Sequence, residues 1–180
     1  YHDIEAMTRD AMPDFLEFHF SYKDLDLSLD EVFEPYPDGL PTGFTTHSPD
    51  LFAGDFLLNL ASTDDAHWER SIAELQRVVD TTRAMKQYFG KPADARASEH
   101  GPVIVASLGG FTKDAFVAPA EREAMYARVA EGLARVDDAG VRLVAQTLPP
   151  YPWYMGGQLF CNLFVDPRDT AAFAEQYDRQ

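Results

Sequence analysis

The segment Pro102–Ser107 (PVIVAS), closed by Gly109-Gly110, constrains the fold of this chain more than any other. A continuous β-branched run without polar alternation reads as a strand buried on both faces, and such strands occur in parallel sheets covered by helices. Parallel neighbours cannot be joined by a tight turn, because each needs a crossover of a dozen or more residues, usually helical. The rest of the chain must then alternate strand and helix.

Asp14–Phe20 (DFLEFHF) places Phe15, Glu17 and His19 on one side and Leu16, Phe18 and Phe20 on the other, as a strand does. Ahead of it, Ile4, Met7 and Ala11 recur at helical spacing until Pro13 stops the pattern. Gly43–His47 (GFTTH), between Pro41 and Ser48-Pro49, is a second strand that ends at a histidine. Ser62 and Asp65 offer a capping start for a long helix that carries Trp68, Ile72, Leu75 and Val79 toward Gly90. Residues 91–101 (KPADARASEHG) are polar and rich in breakers, a surface loop. After the central strand, Pro119 opens a second helix through Met125, Val129, Leu133 and Val136, with Gly140 just past its end. Val141–Ala145 (VRLVA) is the fourth strand. Gln146–Gln158 (QTLPPYPWYMGGQ) is dense in prolines and aromatics and reads as a shaped loop rather than a linker. Asp166-Pro167 caps and opens a last helix through Ala171, Phe173, Ala174 and Tyr177.

Charge narrows the partners. Fifteen Lys and Arg against thirty Asp and Glu leave a net charge of −15, with no segregated basic patch, so nucleic acid is not an expected partner. No run approaches the roughly 18 apolar residues of a spanning helix, and no signal peptide pattern is present, which predicts a soluble cytoplasmic protein. The single cysteine, Cys161, forbids an internal disulfide or a cysteine-based metal cluster. Its setting in LFCNLFV predicts a buried, inert thiol. The 180 residues suffice for one core, so residues 1–180 are expected to form a single domain. Tyr1 stands where an initiator Met would, which predicts a chain processed or cut from a longer one.

Strand and helix in alternation imply a parallel α/β sheet, open or closed. Apolar strands with unusual polar residues just after them match a (β/α)8 TIM barrel, whose sites lie on the C-terminal face. Such a barrel needs eight strands and about 250 residues, so the four strands here predict a partial barrel. In THSPDLFAGDFLLNLAS with DAHWERSIAELQRVVDTTRAM, and in VRLVAQTLPPYPWYMGGQLFCNLFVDP, the chain resembles the xylose isomerase-like barrel superfamily. That superfamily includes sugar phosphate isomerases and epimerases and the metal-dependent apurinic-site endonucleases. DFLEFHFSYKDL is similar to its second strand, so the resemblance implies strands two to five within residues 1–180. SYKDLDL, HSPDLF and LPPYPW also resemble a barrel domain associated with sialic acid synthase-like proteins.

The resemblance implies a metal-binding histidine at His47. The next two ligand positions fall on Ser107 and Gln146, where a hydroxyl and a neutral amide weaken any site for Zn, Mn or Mg. A divalent metal is thus an open expectation, and a three-metal nuclease site is not expected.

His47, at a strand end, could shuttle a proton or bind its own loop, and the resemblance favours function. Gln146 could donate to and accept from sugar hydroxyls, or hold the proline-rich loop. Lys23 could bind a sugar phosphate or carboxylate as a point charge, or pair with Asp24 or Asp26. Tyr151, Trp153 and Tyr154 could stack on a sugar ring, or bury the loop on the rim, with Gly156-Gly157 admitting close approach and Gln158 as a further substrate-binding candidate. Gly109-Gly110 could form an anion nest. Glu17 and His19 read as a buried polar pair filling a barrel layer.

The expectation is a sugar or sugar phosphate isomerase or epimerase in carbohydrate or amino-sugar metabolism, moving a proton beside a carbonyl. A catalytically silent barrel that binds carbohydrate or a sialic acid synthase-like partner is the alternative, and self-association or fusion to a longer chain is expected in either case.

Overall fold

The computed structural model describes residues 4–9, 13–90, 101–152 and 154–177, apart from the side chains of residues 154, 155 and 177. Four strands, β1 (Phe15–His19), β2 (Gly43–His47), β5 (Val103–Ala106) and β7 (Arg142–Ala145), form one sheet in the order β1-β2-β5-β7. Every pairing in it is parallel. Strands adjacent in sequence are adjacent in the sheet, and each connection carries a helix: α2 (Leu29–Phe33), α3 (Asp65–Met85) and α4 (Pro119–Leu133). Helix α5 (Pro167–Tyr177) follows β7, and a short α1 (Ile4–Thr8) precedes β1. The chain is therefore a mixed α/β fold on a parallel four-stranded sheet.

Register sorts the side chains onto two unlike faces. Leu16, Phe18, Phe44, Thr46, Ile104 and Ala106 face one way and are buried. They join a single core with Phe33 of α2, Ile72, Leu75, Val78 and Val79 of α3, Val129 of α4 and Phe173 of α5. Thr46 and Thr82, both fully buried, tie sheet to helix through a hydrogen bond of 2.9 Å between their hydroxyls. The opposite face carries three rows: Phe15 beside Gly43; Glu17, Thr45, Val103 and Arg142; and His19, His47, Val105 and Val144. Most of this second face is half-buried or exposed. The expectation that PVIVAS is buried on both faces is thus corrected, because Val103 and Val105, on the second face, are only half-buried.

Gly43 is required by its neighbour, since a Cβ there would lie 2.8 Å from the Phe15 ring. Helix α3 begins two residues later than a Ser62 cap would give: Asp64 is the N-cap and accepts from the amides of Ala66 and His67. A clamp holds α3 to α4. Arg128 lies 3.7 Å and Arg135 5.0 Å from the Trp68 ring centroid, while Arg135 makes a bidentate pair with Glu69. Helix α4 stops at Leu133, short of Gly140, because the following turns are held instead by Gln76 and Arg83, which bond the Asp137 and Ala139 carbonyls.

Two small antiparallel pairs lie beyond the sheet: β3 (Leu51–Phe52) with β4 (Phe56–Leu57), and β6 (Phe111–Thr112) with β8 (Phe160–Cys161). The surface loop expected at 91–101 lies almost wholly outside the described residues.

Candidate functional site

All four strands are parallel, so their C-terminal ends gather at one edge of the sheet, and the polar residues that follow them meet there. At the end of β2, the His47 ring is held at both nitrogens. Nδ1 lies 3.0 Å from the Ser48 carbonyl oxygen and Nε2 lies 3.0 Å from Gln146 Oε1. Gln146 follows β7 and extends its ladder by donating its backbone N–H to the Ala106 carbonyl. Ser107, just past β5, donates its hydroxyl to the same Gln146 oxygen at 3.2 Å. Residues from three strand ends are thereby linked through one amide, which brings the sequence candidates His47 and Gln146 within hydrogen-bond distance.

The fourth strand end adds a pair that the sequence reading had placed in a buried layer. His19 stacks on His47 with ring centroids 4.9 Å apart and planes 8° from parallel. Its Nε2 lies 3.0 Å from Glu17 Oε1, and the His19 and Glu17 side chains are 71% and 48% exposed. They are solvent-facing rather than buried, on β1, the end strand of the sheet. Both residues line a cleft of about 250 Å³ along β1, together with Met7, Phe18, Phe20 and Asp24.

No protein-family profile, curated protein or solved structure matches this chain.

Lys23 is exposed, does not line the cleft and makes no ion pair among the described residues; its ammonium lies 6.0 Å from the Tyr22 ring. Asp24 and Asp26, offered as its partners, are engaged elsewhere: Asp24 accepts from the amide and hydroxyl of Ser21, and Asp26 pairs with Arg77. Gln158 is exposed beside Gly156, and Trp153 and the side chain of Tyr154 lie outside the described residues. Tyr151 is 56% exposed and packs in a ring cluster with Phe116 and Phe160, which is a loop-burying role with one open face.

The anion nest expected at Gly109-Gly110 is corrected. The Gly110 N–H donates to Asn59 Oδ1, and a Cβ on either glycine would strike Asn59 or Leu163. Both glycines are buried packing positions whose positive φ lets the chain turn there. Asn59 also accepts from the Ala61 N–H, and Asn162 accepts from Val117 N–H while donating to the Gly110 carbonyl and Thr112 hydroxyl. These two amides shape the loops around the strand ends, a role that an isolated Asn in a sequence does not announce. Cys161 is buried, and burial pushes its thiol up to about 11, in keeping with an inert role.

A metal fits this donor set poorly. Both His47 nitrogens are bonded within the chain, Ser107 and Gln146 are neutral, and no group of three His, Cys, Asp or Glu suited to a metal occurs among the described residues.

Proposed function

We propose that this chain acts on a monosaccharide or its derivative in carbohydrate or amino-sugar metabolism, as a sugar isomerase or epimerase that moves a proton beside a carbonyl. The observation that carries the reading is the convergence of His19, His47, Ser107 and Gln146 on one face at the C-terminal ends of four parallel strands. In open parallel sheets and closed barrels alike, ligands bind at that edge. The chemistry needs a base for the carbon-bound proton and donors for the oxygen that becomes negative, and imidazole, hydroxyl and amide supply both kinds of group.

The same reading takes the sheet as strands two to five of a xylose isomerase-like barrel in the cytoplasm. Strands β1 and β7 would then continue into further strands, from a longer chain or a second copy, which intact mass and light scattering of the source protein distinguish. The sequential strand order supports this, because a singly wound barrel requires it. Zn, Mn or Mg would need ligands from outside the described residues. A silent carbohydrate-binding domain is the second reading, favoured by the neutral Ser107 and Gln146.

Incubation with aldoses, ketoses and their phosphates in deuterated water, with and without divalent metal, is the test. Deuterium should enter the carbon beside the carbonyl. Sugar binding without exchange would support the second reading, and no binding or exchange would overturn both.

A further inference from the structure

Which group takes the proton can be worked out from the hydrogen bonds. A carbonyl oxygen only accepts, so His47 Nδ1 must carry a hydrogen toward Ser48. Its Nε2 then faces Gln146 in one of two ways. Either the ring is an imidazolium that donates to Oε1, or the amide is turned so that its NH2 donates to a neutral Nε2. In both arrangements His47 has no lone pair left to accept a proton.

His19 differs. The Glu17 carboxylate at Nε2 favours the tautomer with its hydrogen there, which leaves the lone pair on Nδ1. Among the described residues Nδ1 has no partner, and His19 lines the cleft along β1. That cleft runs along the open edge of β1, lined by the consecutive residues 16–20 from both faces of the strand with Ile4 and Met7 of α1, and its described charged lining is Glu17 and Asp24 with no Lys or Arg. About 250 Å³ lies just below the ~300 Å³ at which small-molecule sites begin, so it has room for one small ring. Two carboxylates without a cation repel a phosphate ester and favour a neutral or ammonium-bearing ligand.

From these observations we infer that the cleft along β1 binds an unphosphorylated monosaccharide, neutral or amino, and that His19, oriented by Glu17, is its base. This rests on the proton-transfer reading above and takes the edge of β1 as open, since a further strand paired there would fill the cleft. The C–H bond beside the sugar carbonyl breaks, and its electron pair forms the C=C of an enolate, an enediolate for the neutral sugar and an amino-enolate for the amino sugar, while the carbonyl π pair moves to oxygen. The proton forms an N–H bond at His19 Nδ1, and the imidazolium is balanced by the Glu17 carboxylate. Return of a proton from Nδ1 to carbon restores neutral His19. His47, tied at both nitrogens and stacked on His19, is a positioning residue.

The full protein is incubated in deuterated water with D-glucose, D-glucosamine and the phosphate ester of each. The expected result is exchange with the free sugars and not with the esters. His19→Gln should lower the rate by about 10²–10⁴-fold. Glu17→Gln should lower kcat by about 10²-fold with KM held, and Glu17→Asp should restore part of it. Diethylpyrocarbonate, which acylates a free imidazole nitrogen, should label His19 well before His47 by peptide mass mapping. Exchange with the esters alone overturns the ligand class. Full exchange in a folded His19→Gln, or faster labelling of His47, overturns the base and leaves the proton-transfer reading standing. No exchange with any of the four overturns both.

Discussion

The buried hydroxyl pair between sheet and helix gives a sharp thermodynamic test of how the helices are seated. Thr46 and Thr82 are both fully inaccessible, and their oxygens lie 2.9 Å apart. Thr→Val keeps the shape of the side chain and removes its hydroxyl. A single Thr46→Val or Thr82→Val leaves the surviving hydroxyl in an apolar setting, which costs about 1–3 kcal/mol. At the middle of that range the melting temperature of a chain this size should fall by about 4–8 °C. Replacing both removes the bond and the orphan together, so the double variant should lose much less than the sum of the singles. Urea unfolding of the four proteins followed by circular dichroism measures the coupling directly. If the double variant equals the sum of the singles to within ~0.5 kcal/mol, the two hydroxyls are not partners and the seating described here is wrong.

Truncation of Leu75, fully buried on α3, to Ala should destabilise by about 2–5 kcal/mol in the same unfolding assay. Gly110→Ala should destabilise strongly, because φ is +89° and the new Cβ would lie 2.5 Å from Leu163 Cγ; a melting temperature equal to wild type would refute the packing. Cys161 should resist iodoacetamide at pH 8 in the folded protein and react on unfolding, as read by intact mass, because burial holds its thiol up near 11. Asp166 is held down to about 2 by Arg168, whose side chain and backbone N–H both bond it. Its folded value is depressed, so its contribution to the start of α5 is complete above the ordinary carboxylate range and fades as pH falls toward 2. Asp166→Asn should flatten that acid limb in helix signal measured against pH.

The four sheet strands and the three longest helices were legible because each rests on a local signal: alternation in DFLEFHF, the β-branched run at Val103–Ala106, Pro119 at a helix start. What escaped the sequence depends on what a residue meets. Glu17 and His19 read correctly as sharing a face, yet on the end strand that face is exposed, and exposure is set by strand position rather than by period. The β3–β4 and β6–β8 pairs are two residues long per strand, too short for any periodic signal. His47 and Gln146 were each visible as strand-end polar residues; their shared hydrogen bond spans 99 positions and becomes evident only in the parallel order of the sheet. Gly109-Gly110 misled because a glycine pair looks the same whether it opens to an anion or closes on Asn59.

Asn59 and Asn162 give the loops beyond the strand ends a property that their irregular backbone conceals. The amides of Ala61 and Gly110 both donate to Asn59 Oδ1, and that of Val117 donates to Asn162 Oδ1. Asn162 in turn donates to the Gly110 carbonyl, so the two side chains are joined through a single glycine. The Gly110 bonds to Asn59 and Asn162 join segments about fifty residues apart in sequence, and Ala61 shares the Asn59 oxygen with Gly110. Hydrogen exchange at Ala61, Gly110 and Val117 should therefore be slow for loop positions and should rise together with denaturant, as one cooperative opening rather than three local ones. The loops beyond the strand ends would then behave as one rigid collar.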